Sequence, residues 1–175
     1  MPNTPLDRMD YRILSLLQND ARLTNLELAG KVDLSPSPCL RRVKALEDSG
    51  IIRRYVAILD AVAVGLPISA FINVSLRSQG REALEEFQAR IEEYPEVMEC
   101  YLMTGTSDYL LRVVVPDLEA YERFLGDKLT RIPAVGNIQT SFALKPVVYR
   151  TELPLGEAVG TSTRRAAKSK TRTRR

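Results

Sequence analysis

The stretch from Thr24 to Gly50, TNLELAGKVDLSPSPCLRRVKALEDSG, decides how this chain folds. Thr24-Asn25-Leu26-Glu27 fits the S/T-x-x-E capping box, in which hydroxyl and glutamate satisfy each other's backbone N–H groups at a helix start. A helix opens there, with Leu26, Ala29 and Val32 expected on its inner face. Ser35 followed by Pro36 opens a second helix, because the first helical position has no use for an N–H. Gly50 stops it by supplying the left-handed conformation favoured after a helix end. The stretch therefore writes two short helices joined by a tight turn.

The second of these helices has two faces. Cys39, Val43 and Leu46 line one side, with Leu40 beside them. Ser37, Arg41 and Lys44 recur at i, i+4, i+7 on the other, flanked by Arg42. A helix laid into the major groove of DNA needs this split: an apolar face docked on its own domain, and small polar and cationic groups facing out. Arg41, Arg42 and Lys44 have the reach for guanine edges or phosphates, and Ser35 and Ser37 for phosphates at the helix N-terminus. Together with Asn25 and Pro36 they form the expected DNA-binding set. A charge stripe alone fits an ordinary surface helix equally well. The preceding helix, its caps and the strand expected to follow favour the groove reading.

Upstream, Met9, Ile13, Leu16 and Leu17 recur at helical spacing between Asp7 and Asn19, with Asp7 and Asp10 in the first turn where negative charge suits the dipole. Downstream, Arg53 to Asp60 reads as a strand, and Val62 to Pro67 as a small-residue hinge containing Gly65. Residues 6–67 thus make a winged helix-turn-helix unit. A unit of about 60 residues buries only roughly 60 % of its unfolded surface, so a partner subunit is expected to support it.

A second unit, residues 68–154, has a different rhythm. Ile68, Ala70, Ile72, Val74 and Leu76 alternate with polar residues, as a strand does. Leu84, Phe87, Ile91 and Tyr94 mark a helix; Val97–Thr104 and Asp108–Val115 mark two strands. Leu118, Tyr121, Leu125, Leu129 and Ile132 mark another helix, Val135–Leu144 a fourth strand, and Val147–Arg150 a short fifth. The β-α-β-β-α-β order is the ferredoxin-like pattern, so the fold class is α+β. One sheet face is covered by two helices; the other is bare unless a second chain covers it.

Charge divides the chain further. Residues 1–60 carry nine cations and eight anions, residues 61–160 nine and 14, and residues 161–175 seven cations alone. The acidic second unit is a poor nucleic-acid platform. The stretch 155–175 lacks the apolar residues to bury a core and reads as a disordered basic tail able to add sequence-blind phosphate contacts. No apolar run approaches the roughly 18 residues of a membrane span, and no secretory signal is visible, so a cytoplasmic, nucleoid-associated location is expected. Cys39 and Cys100 read as reduced packing residues. The chain has no histidine, which removes the commonest general base and the commonest transition-metal ligand. With no phosphate-cradling glycine loop and no paired carboxylates either, an enzyme is not expected, nor a metal or cofactor.

The turn Thr104-Gly105-Thr106-Ser107-Asp108-Tyr109 is the other polar concentration. Gly105 permits unusual backbone angles, Thr106 and Ser107 bring hydroxyls, and Asp108 a carboxylate. Such a set suits a zwitterion, carboxylate on backbone donors and ammonium on Asp108; an ordinary hairpin turn has the same composition.

LDRMDYRILSLLQNDAR, LSPSPCLRRVKALEDSGII, GTSDYLLRVVVPDLEAYERFL and LTRIPAVGNIQTSFALK together resemble the Lrp/AsnC, or feast/famine, family of transcriptional regulators over about residues 6–154. The resemblance implies a helix-turn-helix domain, a strand hinge, and a C-terminal module whose sheets pair across a dimer. Dimers then assemble into tetramers, octamers or larger rings. It also implies an amino-acid or related keto-acid effector held between dimers, near residues 104–109 and near the fourth strand around Thr140 and Phe142. The second half is most similar to members governing branched-chain keto-acid or amino-acid degradation. Two positions depart from the family pattern: Asp33 replaces the usual turn glycine, and Thr106 replaces an acidic residue common after the loop glycine. Asp tolerates the left-handed region, so the turn is expected to survive. The resulting expectation is a homo-oligomeric, sequence-specific regulator responding to a small metabolite through its assembly. The rival is an architectural DNA-binding protein with little sequence choice, which the basic tail favours.

Overall fold

The computed structural model describes residues 5–155; the expected disorder of the tail falls almost wholly outside that range. The chain divides into two compact units: one runs to Ala57 and includes the segment from Val148, the other spans Ile58–Val147.

In the first unit, α1 (Arg8–Asn19), α2 (Asn25–Lys31) and α3 (Pro36–Asp48) begin where the caps predict. Asp7 and Asp10 form a reciprocal capping box on α1, and Thr24 and Glu27 form one on α2. Ile13, Leu17, Leu28, Ala29, Val32, Cys39 and Leu46 make the core, with Met9, Leu16 and Val43 packed against it. The inner face of α2 differs from the sequence reading at one position. Leu26 is 71 % exposed, and Leu28 takes the core position instead. At 100° per residue Leu26 and Leu28 each share a stripe with Ala29 and Val32, and packing in the three-helix core selects the stripe with Leu28.

The turn into α3 rests on Asp33, which adopts φ 58° as the departure from glycine requires. The Leu34 N–H closes back on the Ala29 carbonyl at 3.0 Å, the bond of a Schellman helix end. Arg12 fixes this turn from α1: its guanidinium reaches the Asp33 carboxylate at 3.1 Å and donates to the Lys31 carbonyl at 2.6 Å. Gly50, at φ 75°, ends α3 as expected.

Residues 53–60 run on after this without strand pairing to any described residue, so the expected strand is absent. Tyr55, Val56, Ile58 and Leu59 are exposed. A strand needs a neighbour to take its N–H and C=O groups, and the described residues of one chain offer none. The hinge that follows is a turn: the Asp60 carboxylate accepts the Val62 and Ala63 N–H groups, and Gly65 takes φ 81°.

The second unit contains β1 (Ile68–Leu76), α4 (Arg81–Glu92), β2 (Val97–Leu102), β3 (Tyr109–Val115), α5 (Leu118–Arg123) and β4 (Val135–Phe142). The sheet order is β2-β3-β1-β4 with every neighbouring pair antiparallel, which is the ferredoxin-like arrangement. Ala70, Ile72, Val74 and Leu76 of β1 and Tyr109, Leu111, Val113 and Val115 of β3 face the helices as alternation predicts. Phe87 and Ile91 of α4 cover them.

The last helix departs from a single 3.6-residue period. α5 gives way to a π turn over Phe124–Lys128 and a 3-10 turn over Leu129–Arg131. Leu118 is left 60 % exposed, and Phe124, 1 % exposed, fills the core. The wider π turn inserts one residue, so Leu129 and Ile132 still reach the buried face. The expected fifth strand at residues 147–150 is not formed; Val147, Val148 and Tyr149 are exposed.

Candidate functional site

Two places carry the polar groups picked out from sequence, one in each unit. In the first unit, α3 presents Ser37, Arg41 and Lys44 as an exposed row. None of these side chains bonds to another described residue. Ser35 takes the N-cap backbone conformation without a side-chain cap bond, so its hydroxyl also remains outward, with Pro36 in the first turn. Cys39 and Leu46 anchor the opposite face in the core. The helix is therefore held from behind while its cationic side faces solvent, the requirement for groove entry.

Two residues of the expected set are engaged elsewhere. The Arg42 guanidinium bonds to Asp7 at 2.8 Å and to Asp10 at 2.7 Å, tying α3 to the N-terminal cap of α1. Both carboxylates raise its already high pKa, chiefly through the hydrogen bond to Asp10. In return, the Asp7 carboxyl is held below its ordinary pKa, first by the Asp10 backbone N–H and also by Arg42. Arg42 is thus a brace between helices and not part of the outward row. Helical spacing alone cannot tell these roles apart, because Arg42 lies at the edge of both faces. Asn25 is likewise turned inward: its amide donates to the Pro36 carbonyl at 2.9 Å and joins the starts of α2 and α3. A role of Asn25 in direct contact with DNA loses its free amide.

In the second unit, the turn 104–108 joins β2 to β3. Gly105 has φ 129°, a backbone conformation that side chains disfavour. Thr104, Gly105 and Thr106 are exposed. The remaining groups are committed to the fold. The Asp108 carboxylate accepts the Leu76 N–H at 2.7 Å on one oxygen and the Gln79 amide at 2.8 Å on the other. Its backbone N–H donates to the Val74 carbonyl at 2.9 Å. Asp108 therefore closes the end of β1, where the ladder to β4 is irregular between Ser75 and Leu76. The expected free carboxylate for an ammonium group is not there. Ser107 donates to the Asn73 side chain at 3.2 Å, and Ser75 donates to the Thr106 carbonyl at 3.4 Å. Tyr109 is buried, its hydroxyl accepting from Gln88 at 2.8 Å, and burial pushes its pKa up.

Thr140 and Phe142 lie elsewhere in the unit. They pair with Ile72 and Ala70, core-facing residues of β1, so they share the helix-covered side of the sheet. There the Tyr121 hydroxyl bonds the Thr140 hydroxyl, and the Tyr121 and Phe142 rings meet edge-on at 5.0 Å. Ser107 instead bonds Asn73, on the opposite side of the sheet. Within one chain the turn and the β4 pair do not converge. Sequence reasoning missed Tyr121 and Asn73 as partners of these residues; cross-strand register was the missing signal.

The bare side of the sheet has its own character. Phe71 and Tyr101 stand exposed on it, and Arg112 and Glu99 pair across it at 2.8 Å. Glu99 also raises the pKa of the Tyr101 hydroxyl by accepting its hydrogen bond.

Sequence comparison agrees with this division. Residues 6–53 match the family model described as winged helix-turn-helix DNA-binding, and residues 69–153 match the Lrp/AsnC ligand binding domain. The Bkd operon transcriptional regulator of Pseudomonas aeruginosa is 48 % identical over 86 % of this chain and 98 % of its own length. The leucine-responsive regulatory protein of Salmonella typhimurium is 39 % identical over 87 % of this chain and 93 % of its own. Among solved structures, a transcriptional regulator of Neisseria meningitidis in complex with L-Met is similar at TM-score 0.84. It is 45 % identical and aligns over 89 % of this chain and 100 % of that one. An AsnC family regulator of Agrobacterium tumefaciens gives TM-score 0.82 and 42 % identity, over 88 % of this chain and all of that one. The relatives carry both units in this order and are regulators, not enzymes, and this chain belongs to the Lrp/AsnC family of transcriptional regulators.

Proposed function

We propose that this chain is a homo-oligomeric, sequence-specific DNA-binding regulator whose assembly responds to an amino acid or its keto acid. In this reading residues 6–67 read DNA, residues 68–154 hold the effector and join copies, and the protein works on the cytoplasmic nucleoid. The observation that carries it is the outward row Ser37, Arg41 and Lys44 on a helix whose other face is locked into a capped three-helix core. Ser35 and Pro36 bring the helix N-terminus toward phosphate.

Self-association is supported by two uncovered features: the sheet side bearing Phe71 and Tyr101, and the apolar segment Tyr55, Val56, Ile58 and Leu59. A second copy would cover the first and give the segment the strand neighbour it lacks. The effector class is supported by the L-Met complex of one similar structure and the leucine-responsive name of one relative. Leucine, methionine and their keto acids are therefore the first compounds to test. The effector site assembles between copies, from the exposed Thr104, Gly105 and Thr106 backbone and the Tyr121–Thr140–Phe142 cluster; Asp108 positions the turn from behind.

The mechanism is linkage. A ligand that prefers one assembly respaces the paired α3 helices, with coupling of about 1–3 kcal/mol that DNA returns in kind. Footprinting with and without each of the twenty amino acids and their keto acids tests it. The expected result is two-fold half-sites roughly 10 base pairs apart, one turn of the duplex, and a changed pattern with one ligand class. The basic stretch 161–175 favours the architectural reading, which gains if protection spreads evenly over unrelated DNA. A monomer that shifts no DNA in dilute buffer ends both.

A further inference from the structure

In the second unit Arg81, Arg90, Arg112, Arg123, Lys128 and Arg131 each hold a carboxylate. Among the described residues of that unit, the two cations that hold none are Arg77 and Lys145. Lys145 lies beyond β4, and no described group fixes it. Arg77 is fixed, but by carbonyls. Just past the end of β1, its backbone N–H donates to the Ala134 carbonyl at 2.8 Å and its Nε to the Val135 carbonyl at 3.0 Å. Its stem lies against Gly136, where an added Cβ would stand 3.2 Å from the Arg77 Cγ and crowd it. Val135 points into the core, so Gly136, the next residue, faces the bare side of the sheet and Arg77 lies over it there. On that side Ser75 donates to the Thr106 carbonyl and Ser107 to Asn73. The turn at 104–108 and the Arg77 guanidinium therefore share one end of β1.

We infer that Arg77 is the anchor for the effector's carboxylate, an anion site at the end of β1 beside the turn 104–108. The inference rests on the effector reading above and names the residue that meets the ligand's negative end. A carboxylate is the one charged group that an amino acid and its keto acid share, since the keto acid has no ammonium. In a unit whose anions outnumber its cations, an incoming carboxylate is repelled unless an unspent cation meets it. Arg77 supplies one. With Nε given to Val135, its Nη1 and Nη2 bond to no described residue and present a planar pair of donors matched to two carboxylate oxygens. Because Nε and the stem are already held, less side-chain freedom is lost when the ligand arrives. The exposed Thr104, Gly105 and Thr106 remain for the rest of the ligand.

Calorimetric titration of three full-length proteins tests the inference: the parent, Arg77→Gln and Arg77→Lys. The probes are L-leucine, L-methionine, their two keto acids, and the primary amide of each, which keeps the side chain and loses the negative charge. Arg77→Gln is expected to weaken the acids that the parent binds by about tenfold or more, and by the same factor for an amino acid and its keto acid. Arg77→Lys, which keeps the charge without the planar fork, is expected to fall between. The amides are expected to bind the parent weakly and Arg77→Gln no more weakly. Thermal melting checks each fold, and should Arg77→Gln unfold, Arg77→Lys carries the same comparison of acid with amide. Parent-like affinity of Arg77→Gln for the acids overturns the inference. So does a loss of the same factor for acid and amide, which would mark a packing role against Val135 and Gly136. An amide that the parent binds as tightly as its acid overturns it with no substitution at all. Failure of the effector reading looks different: the parent takes up none of the probes, and the inference falls with it.

Discussion

Helix α3 and the turn at residues 104–108 present the same kinds of group, hydroxyls and charges on a short polar stretch, yet the fold treats them oppositely. On α3, Ser37, Arg41 and Lys44 keep their polar ends unpaired among the described residues. At the turn, Ser107 and Asp108 have their hydrogen bonds taken by β1 and Gln79. The physical difference is what lies behind each stretch. A helix satisfies its own backbone, so its polar side chains are left over for a partner. A turn at an irregular strand end leaves backbone donors open, and the nearest carboxylate closes them. A polar residue is available for binding only where the fold has not already claimed it.

The sharpest way to break this contrast is to remove one member from each side. Arg41→Ala should weaken operator binding by up to about 3 kcal/mol, with relaxed choice at one base position, and leave the melting temperature unchanged. An equal loss on every sequence would assign Arg41 to phosphate. Asp108→Ala should do the reverse and lower folding stability by about 2 kcal/mol in denaturant titration, because the Leu76 N–H loses its acceptor. A fully stable Asp108→Ala protein that has lost only its effector response would return the carboxylate to ligand binding. Arg42→Ala sharpens the comparison within α3 itself. It should cost about 1 kcal/mol of stability, since the pair is partly screened, and change operator affinity little per folded molecule. If its binding loss equals that of Arg41→Ala at full stability, the brace reading fails.

The smallest effect concerns pH. Asp7 is held below its ordinary value of 3.8 by the Asp10 N–H and Arg42, and Glu27 below 4.5 by the Thr24 hydroxyl and N–H. A carboxylate whose folded pKa is depressed stabilises fully above its unfolded pKa and loses that contribution as pH falls through the folded one. The caps of α1 and α2 should therefore be intact above about pH 5 and weaken below about pH 4. Melting curves between pH 7 and 3 should show a shallower acid decline for Asp7→Asn and Glu27→Gln, each starting from a lower plateau. Unchanged curves would mean the capping boxes carry no measurable stability.

Much of this architecture can be read locally. A capping box involves residues three apart, a helix-stopping glycine needs only its own φ, and strand alternation is a two-residue rule. Hence Thr24, Gly50 and the β1 pattern were legible, and so was Asp33 in the left-handed turn. What failed depended on partners distant in sequence. Leu26 and Leu28 differ by a rotation that only the packing of α1 and α3 fixes. The stretches 53–60 and 147–150 have strand composition but no neighbour among the described residues to pair with. The π turn after α5 departs from the 3.6-residue period that sequence reading assumes, and the partner of its Phe124, the Tyr94 ring with centres 6.0 Å apart, lies 30 residues earlier in the chain.

The candidate sites divide along the same line. Sequence by itself determined which helix carries the cationic row and that the chain has two units with different tasks, since composition and periodicity are local properties. Tertiary structure alone decided that Arg42, Asn25 and Asp108 serve the fold, that Thr140 and Phe142 share a side with Tyr121, and that Gln18 meets Leu153. Each of these depends on which partner the fold brings within reach, and separations from 11 to 135 residues in the chain carry no trace of that.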